Sequence, residues 1–310
     1  MPSSPVRQIE KKVIVYRPRA RAADAGWRLT RNRESQKDTG VSEARQILLD
    51  PFALFESYLR VTGVAHLGRE SEGAPELLGK RLGLLNGSSW IALWSNFFGR
   101  RYLPGAQLVN AGNDAVQLNF MEAHARGEFY PPAANVRAFV RYAKDLAVLG
   151  RVDAILITCS TMNRAYRAVQ AALASKGVPV FQIDQPMLEQ AARLGGTVLI
   201  LATHGPTVSS TRSLLEETAS RLRQKVVIQE RSLPEAWDRL ARGDVAGHNE
   251  CLARAIRDSV ERQALSSVVL AQLSMSSILL SYPEPEIEFG LPVLTSGKSG
   301  FEHVRHFLAQ

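Results

Sequence analysis

Cysteine is scarce in this 310-residue chain, which holds only Cys159 and Cys251. Two thiols cannot make a disulfide framework, so a reducing, cytoplasmic setting is the expectation. No apolar run reaches the roughly 18 residues a spanning helix needs, and the opening MPSSPVR lacks the hydrophobic stretch of an export signal, so neither a membrane nor secretion is expected. Cofactor signatures are missing too. No G-x-G-x-x-G opens a helical segment, and the Gly-Lys-Ser at 297–299 lacks the glycine that a P-loop places five residues earlier. The histidines at 66, 124, 204, 248, 303 and 306 are scattered, and only His303 and His306 share a helix turn, as surface side chains. Neither a metal nor an organic cofactor is expected.

Positive charge is plentiful but confined. Of the formal +8, residues 1–37 carry ten lysines and arginines against three acids, or +7, which leaves almost nothing for the rest. A basic tail attracts phosphates without specificity. This one has little aromatic interleaving beyond Tyr16 and Trp27 and no recognition motif, so it reads as a solvated tail rather than a nucleic-acid arm.

The rhythm changes near residue 80. Before it lie broken patterns, one helical stretch at 42–61, and a run of glycines and acids at 63–75. After it, strand-like runs at 82–85, 107–110, 154–158, 178–183, 197–202, 226–229, 268–271 and 292–294 alternate with helical periods at 134–149, 164–175, 187–193, 209–223 and 248–264. Strand and helix in alternation predict an α/β chain with parallel sheets covered by helices on both faces. In such sheets ligands gather at the carboxyl ends of the strands.

Those ends share a chemistry. Asn86 and Ser88, then Cys159, Ser160 and Thr161, then Asp184, then Thr203 and His204, then Gln272 and Ser274, and finally Thr295, Ser296 and Ser299 each precede or open a helical segment. Hydroxyls and amides there cap helices, and together they suit a bound carboxylate. Cys159, after a strand and before a helix, has the setting that favours a thiolate. Cys251, inside a helical period, reads as a space-filling thiol. Asp184 either caps the next helix or orients a site group. Lys298 reads as a solvated side chain.

The segments GLLNG at 83–87, ITCST at 157–161, IDQPM at 183–187, LATHGPT at 201–207, VLAQLSM at 269–275 and PVLTSGKSG at 292–300 come in an order and spacing that resembles the aspartate/glutamate/hydantoin racemase superfamily. The likeness covers 81 to about 308. It implies two similar lobes, each a parallel sheet flanked by helices, related by a pseudo-twofold axis with the site in the cleft. The first lobe would hold 81–183 plus 297–310 and the second 184–296, behind a largely irregular basic extension, 1–80. The resemblance also implies cofactor-independent proton transfer between two opposed cysteines, and it leaves a homodimer open. Cys159 matches the first of these cysteines; Gln272 stands at the second.

An amide neither takes nor gives a proton at accessible pH, so the second group would be Ser274, Ser276 or His204. The expected site is therefore Cys159, Gln272 and Ser274, with Asn86, Ser88, Ser160, Thr161, Thr203 and His204 holding a small carboxylic or amino acid. Trp90, Trp94, Asn113, Met162 and Tyr166 are candidates for shaping the pocket. The reading is a racemase-like isomerase. Its alternatives are a single-cysteine decarboxylase or lyase, and a non-catalytic binder of small carboxylates.

Overall fold

Eight short aliphatic runs become eight parallel strands in a computed structural model that describes residues 51–62, 73–128 and 131–310. The basic segment 1–37 and the part of the 42–61 helix before residue 51 lie outside the described residues. Within the unit Leu49–Gln310, α1 (Pro51–Thr62) precedes a first sheet of β1 (Arg81–Leu85), β2 (Gln107–Ala111), β3 (Ala154–Ile157) and β4 (Val180–Gln182). Its helices are α2 (Ile91–Tyr102), α3 (Asp114–Ala125), α4 (Ala133–Val148) and α5 (Tyr166–Leu173). After α6 (Gln185–Leu194), the second sheet holds β5 (Gly196–Ala202), β6 (Val226–Ser232), β7 (Ser267–Leu270) and β8 (Val293–Thr295). Around it lie α7 (Gly205–Leu222), α8 (Pro234–Ala241), α9 (Val245–Arg262), the short α10 (Ile278–Ser281) and α11 (Pro285–Phe289), and the last helix, α12 (Ser296–Leu308).

The strand orders are β2-β1-β3-β4 and β6-β5-β7-β8, so one topology occurs twice. Each central strand is apolar on both faces, as a sheet covered by helices requires. Its period of two then divides the side chains between cores. Leu82, Leu84 and Leu156 of the first sheet and Leu199, Leu201, Val268 and Leu270 of the second share one cluster with Phe98 and Phe301. Ile155 and Ile157 face a second cluster with Phe139 of α4, while Val198, Ile200 and Val269 face a third with Leu215 of α7. The two sheets are thus bound to each other through a common apolar core.

The PVLTSGKSG segment belongs to this packing. Its last five residues lie in α12, whose Gly297 N–H donates to Ser276 Oγ at 2.9 Å. A Cβ at Gly300 would fall 2.5 Å from Ile183 Cγ1 and 2.6 Å from the Ile183 carbonyl oxygen, so glycine is what lets α12 approach the end of β4. Lys298 is exposed.

Next to that contact, Asp184 is fully buried and ties β4 to the 3₁₀ turn Ser160–Ala165. Its Oδ1 accepts from Ser160 Oγ at 3.0 Å and its Oδ2 from Asn163 Nδ2 at 2.7 Å. Of the two roles open to it, Asp184 does not cap α6 with its side chain; it orients a site group, bracing Ser160 and the turn that follows the cysteine. Burial pushes its carboxyl up to about 6, against the pull of those hydrogen bonds.

Two stability measurements follow. Gly300→Ala overpacks the helix against backbone and is expected to cost about 1–3 kcal/mol in urea unfolding; an unchanged midpoint contradicts the close approach. An unfolded aspartate titrates near 3.9, so between about pH 4 and 6 the folded chain holds a proton the unfolded chain has lost. The contribution of Asp184 is therefore full below pH 4 and is lost as pH rises through 6. Relative to Asp184→Asn, the wild-type unfolding free energy is expected to drop by about 3 kcal/mol between pH 4 and 7, and a pH-independent difference contradicts a buried carboxyl.

Candidate active site

In the order β2-β1-β3-β4 the chain runs outward from β1 to β2, then crosses to β3 and β4, so its direction reverses between β1 and β3. The second sheet reverses likewise between β5 and β7. Such switch points open a crevice at the carboxyl ends of the strands. Register fixes what stands there. Leu85 pairs with Ile157, so Gly87 and Cys159 each lie two residues beyond a matched pair. Leu201 pairs with Leu270, so Thr203 and Gln272 do the same. Cys159 precedes the 3₁₀ turn Ser160–Ala165 and Gln272 precedes the turn Leu273–Ser277. Gln272 is therefore the topological counterpart of Cys159.

Both line one cavity of about 40 Å³, room for roughly two or three waters. The first sheet contributes Ser88, Cys159, Ser160 and Thr161, and the second His204, Gln272 and Ser274. Phe120, Ile91 and Leu273 supply apolar wall, and no lysine, arginine or carboxylate is among the described lining residues. Trp90 closes one side, its Nε1 donating to Gln117 Oε1 at 2.8 Å. The Trp90 ring meets Trp237 of α8 edge-on at 5.6 Å, and Trp237 meets the His204 ring at 5.8 Å.

The Cys159 sulfur packs against Gly87, where a Cβ would come within 2.3 Å of Sγ. Burial pushes the thiol up to about 12, helped by the charge of Asp184. Backbone N–H groups of Met162 and Thr161 and the Thr161 hydroxyl pull the other way and lose. This corrects the thiolate expected at a helix start. Desolvation of an ion outweighs the dipole of a single 3₁₀ turn, and the resting side chain at neutral pH is S–H.

Gln272 is held tightly. Its Oε1 accepts from the Thr203 backbone N–H at 2.6 Å and from Thr203 Oγ1 at 2.9 Å, and its Nε2 lies 3.0 Å from His204 Nδ1. His204 Nε2 lies 3.3 Å from Thr207 Oγ1, which lies 2.9 Å from Thr161 Oγ1. Burial lowers His204 to about 4, assisted by His124, whose Nε2 approaches Gly205. The imidazole is neutral throughout the ordinary pH range. The Ser274 hydroxyl, also in the lining, is buried with no hydrogen-bond partner.

Other expected residues sit elsewhere. Asn86 does not line the cavity: its Oδ1 accepts from Ser95 Oγ at 2.7 Å and Thr158 Oγ1 at 2.6 Å, and its Nδ2 donates to Asn110 at 3.0 Å. Its amide is consumed in bracing β1 to its neighbours. Thr203 likewise serves Gln272 rather than the cavity. Of the pocket-shaping candidates only Trp90 lines it; Trp94 and Met162 are in the core, Asn113 caps α3, and Tyr166 borders a separate surface groove. Trp237, His124 and Gln117 were not foreseen. They lie on helices whose approach to the strand ends no local pattern announces. Thr207 lay inside the quoted LATHGPT segment, three residues after His204 and hence one helix turn away.

Comparison with known proteins accords with this architecture. The sequence profile of the Asp/Glu/Hydantoin racemase family matches residues 120–304. No curated protein sequence matches the chain. Among solved structures, the glutamate racemase of Francisella tularensis in complex with D-glutamate is 15% identical, with a TM-score of 0.52 over 74% of this chain and 81% of that one. An aspartate racemase homologue from Pyrococcus horikoshii is 14% identical, with a TM-score of 0.53 over 74% of this chain and 100% of that one. The allantoin racemase of Pseudomonas fluorescens is 14% identical, with a TM-score of 0.51 over 74% and 90%. At such identities the likeness to these structures is one of fold. By the profile match across more than half its length, the chain belongs to the Asp/Glu/hydantoin racemase family.

Proposed function

We propose that this chain is a racemase-like isomerase that moves a proton at the carbon α to a carboxylate, without a cofactor, through the single thiol of Cys159. The observation that carries the reading is the equivalence of Cys159 and Gln272 on the walls of one cavity. Cys159 first gives its proton to solvent; its thiolate then takes the α-proton, and the electron pair of the broken C–H bond forms an enediolate. Uncharged donors at the strand ends suit that charge, since fixed dipoles in a dry site need no reorganisation. The Ser274 hydroxyl has its donor free and Ser88 borders the same space, while Ser160 and Thr161 line it with their hydroxyls turned to Asp184 and to Cys159. Asn86 and Thr203 act behind them.

Two opposed thiols would take a proton from one face and return it to the other. With a carboxamide at 272, both transfers belong to the Cys159 face: a proton returned to the α-carbon restores its configuration, and isomerisation follows when the proton is returned instead to a neighbouring carbon conjugated with the enediolate. The substrate is a small carboxylic or amino acid, and the present 40 Å³ must widen to admit it. Parting Trp90 from Trp237 is the simplest way.

One observation favours a second reading. Burial keeps the Cys159 proton on sulfur at neutral pH, which equips the thiol as a donor. In a decarboxylation the C–CO₂ bond breaks, its electron pair forms the enediolate, and the thiol proton goes to the α-carbon. The thiolate left behind regains a proton from solvent.

The test is exchange of the α-proton of 2-substituted carboxylic and amino acids in D₂O, followed by proton NMR beside assays for released CO₂. Cys159→Ser is expected to lower the rate at least about 100-fold. Turnover that survives this substitution removes Cys159 from the chemistry. Tight binding with no turnover of any acid would instead make the chain a carboxylate binder.

A further inference from the structure

Around Gln272 lies a chain of polar contacts whose directions can be worked out group by group. The Thr203 backbone N–H can only donate, so the Gln272 atom it meets at 2.6 Å is the carbonyl oxygen. The other end of the amide is then NH₂, which can only donate, and His204 Nδ1 at 3.0 Å must accept. A neutral imidazole that accepts at Nδ1 carries its proton on Nε2. Nε2–H therefore donates to Thr207 Oγ1. Thr207 Oγ1 lies 2.9 Å from Thr161 Oγ1, and only one of the two hydroxyls can donate across that contact. The one proton of the Thr161 hydroxyl is turned to the Cys159 sulfur, whose anion it stabilises, so Thr161 accepts from Thr207. Every donor along this path points toward the sulfur, and the path crosses from the second sheet, through α7, to the turn of the first.

We propose that Gln272, His204, Thr207 and Thr161 are positioning residues that set the acidity of Cys159: a one-way hydrogen-bond wire whose amide terminus fixes the imidazole tautomer and whose hydroxyl terminus stabilises the thiolate. The wire deepens the proposed function, since it acts through Cys159. The residue at the mirror position takes no proton; it holds a neutral histidine in the one tautomer that lets the threonines donate to sulfur. Aligned donors polarise one another, and the charge they meet is the thiolate formed each time Cys159 gives its proton away. The titratable groups facing this cluster are Asp184 at the end of β4, which opposes the thiolate, and His124 on α3, beside His204. The remaining cavity walls from α2 and α3 are uncharged.

The test reads the sulfur directly. Alkylation of Cys159 by iodoacetamide, resolved from Cys251 by peptide mass spectrometry, tracks the thiolate fraction at any pH below the thiol pKa. Thr207→Val keeps the shape of threonine and removes the link. It is expected to slow alkylation about tenfold between pH 8 and 10, the equivalent of one pKa unit, with thermal unfolding monitored to show that the fold is retained. Thr207→Ser is expected to restore the rate, and Thr161→Val to repeat the loss. Wild-type alkylation rates in a folded Thr207→Val, or no rescue by Thr207→Ser, overturn the wire. Because alkylation needs no substrate, that failure is distinct from failure of the proposed reaction, which the Cys159→Ser turnover measurement decides.

Discussion

The two hydrogen bonds that Thr203 donates to the Gln272 carboxamide oxygen organise one half of the site. They orient the amide, the amide orients His204, and His204 addresses the threonines that reach Cys159. Equivalent positions of a repeated fold are thereby given unlike chemistry. On the first sheet a glycine, Gly87, leaves room for a sulfur. On the second a threonine clamps an amide that cannot accept a proton. Two four-stranded sheets of identical order supply the symmetric frame, and the residues two places beyond the central strand pairs break it.

Burial does the rest. The cavity is small, walled by aromatic and aliphatic side chains, and lined by no described residue of opposite charge. In such surroundings the neutral form of every titratable group is favoured. The thiol stays protonated, the imidazole stays unprotonated, and Asp184 behind the turn is pushed up toward neutrality. Only hydrogen bonds aimed at the sulfur counter this. A shared apolar core holds the strand ends in register while they do so.

Much of this was legible in the sequence. All eight strands were, because each is a short aliphatic run bounded by breakers, and their carboxyl ends followed from the parallel order. The positions of Cys159 and Gln272 came from their common offset after a strand. Among the helices of eight residues or more, α2, α3 and α8 were not legible. α2 carries Gly99, where a Cβ would come within 2.6 Å of Leu108, so close packing on β2 overrode helix propensity there; α3 divides its apolar side chains between buried Val116 and Phe120 and exposed Leu118 and Met121, and α8 is only eight residues long. Which hydroxyls and amides face the cavity was not legible either. Asn86 and Ser88 are two residues apart, yet one is spent on Ser95, Thr158 and Asn110 while the other lines the space, a choice made by partners distant in sequence. Trp237 reaches His204 only through the packing of α8, and the acidity of Cys159 depended on burial that a motif does not report.

The central claim is that one thiol serves one face of the substrate. Its most direct test is the configuration of a single enantiomer of a turned-over α-substituted acid after incubation with the wild-type chain in D₂O, resolved by chiral chromatography with mass detection. The account predicts deuterium at the α-carbon with configuration retained. Deuterated product divided equally between the two enantiomers would contradict it, because a second group would then have to deliver the proton from the side of Gln272.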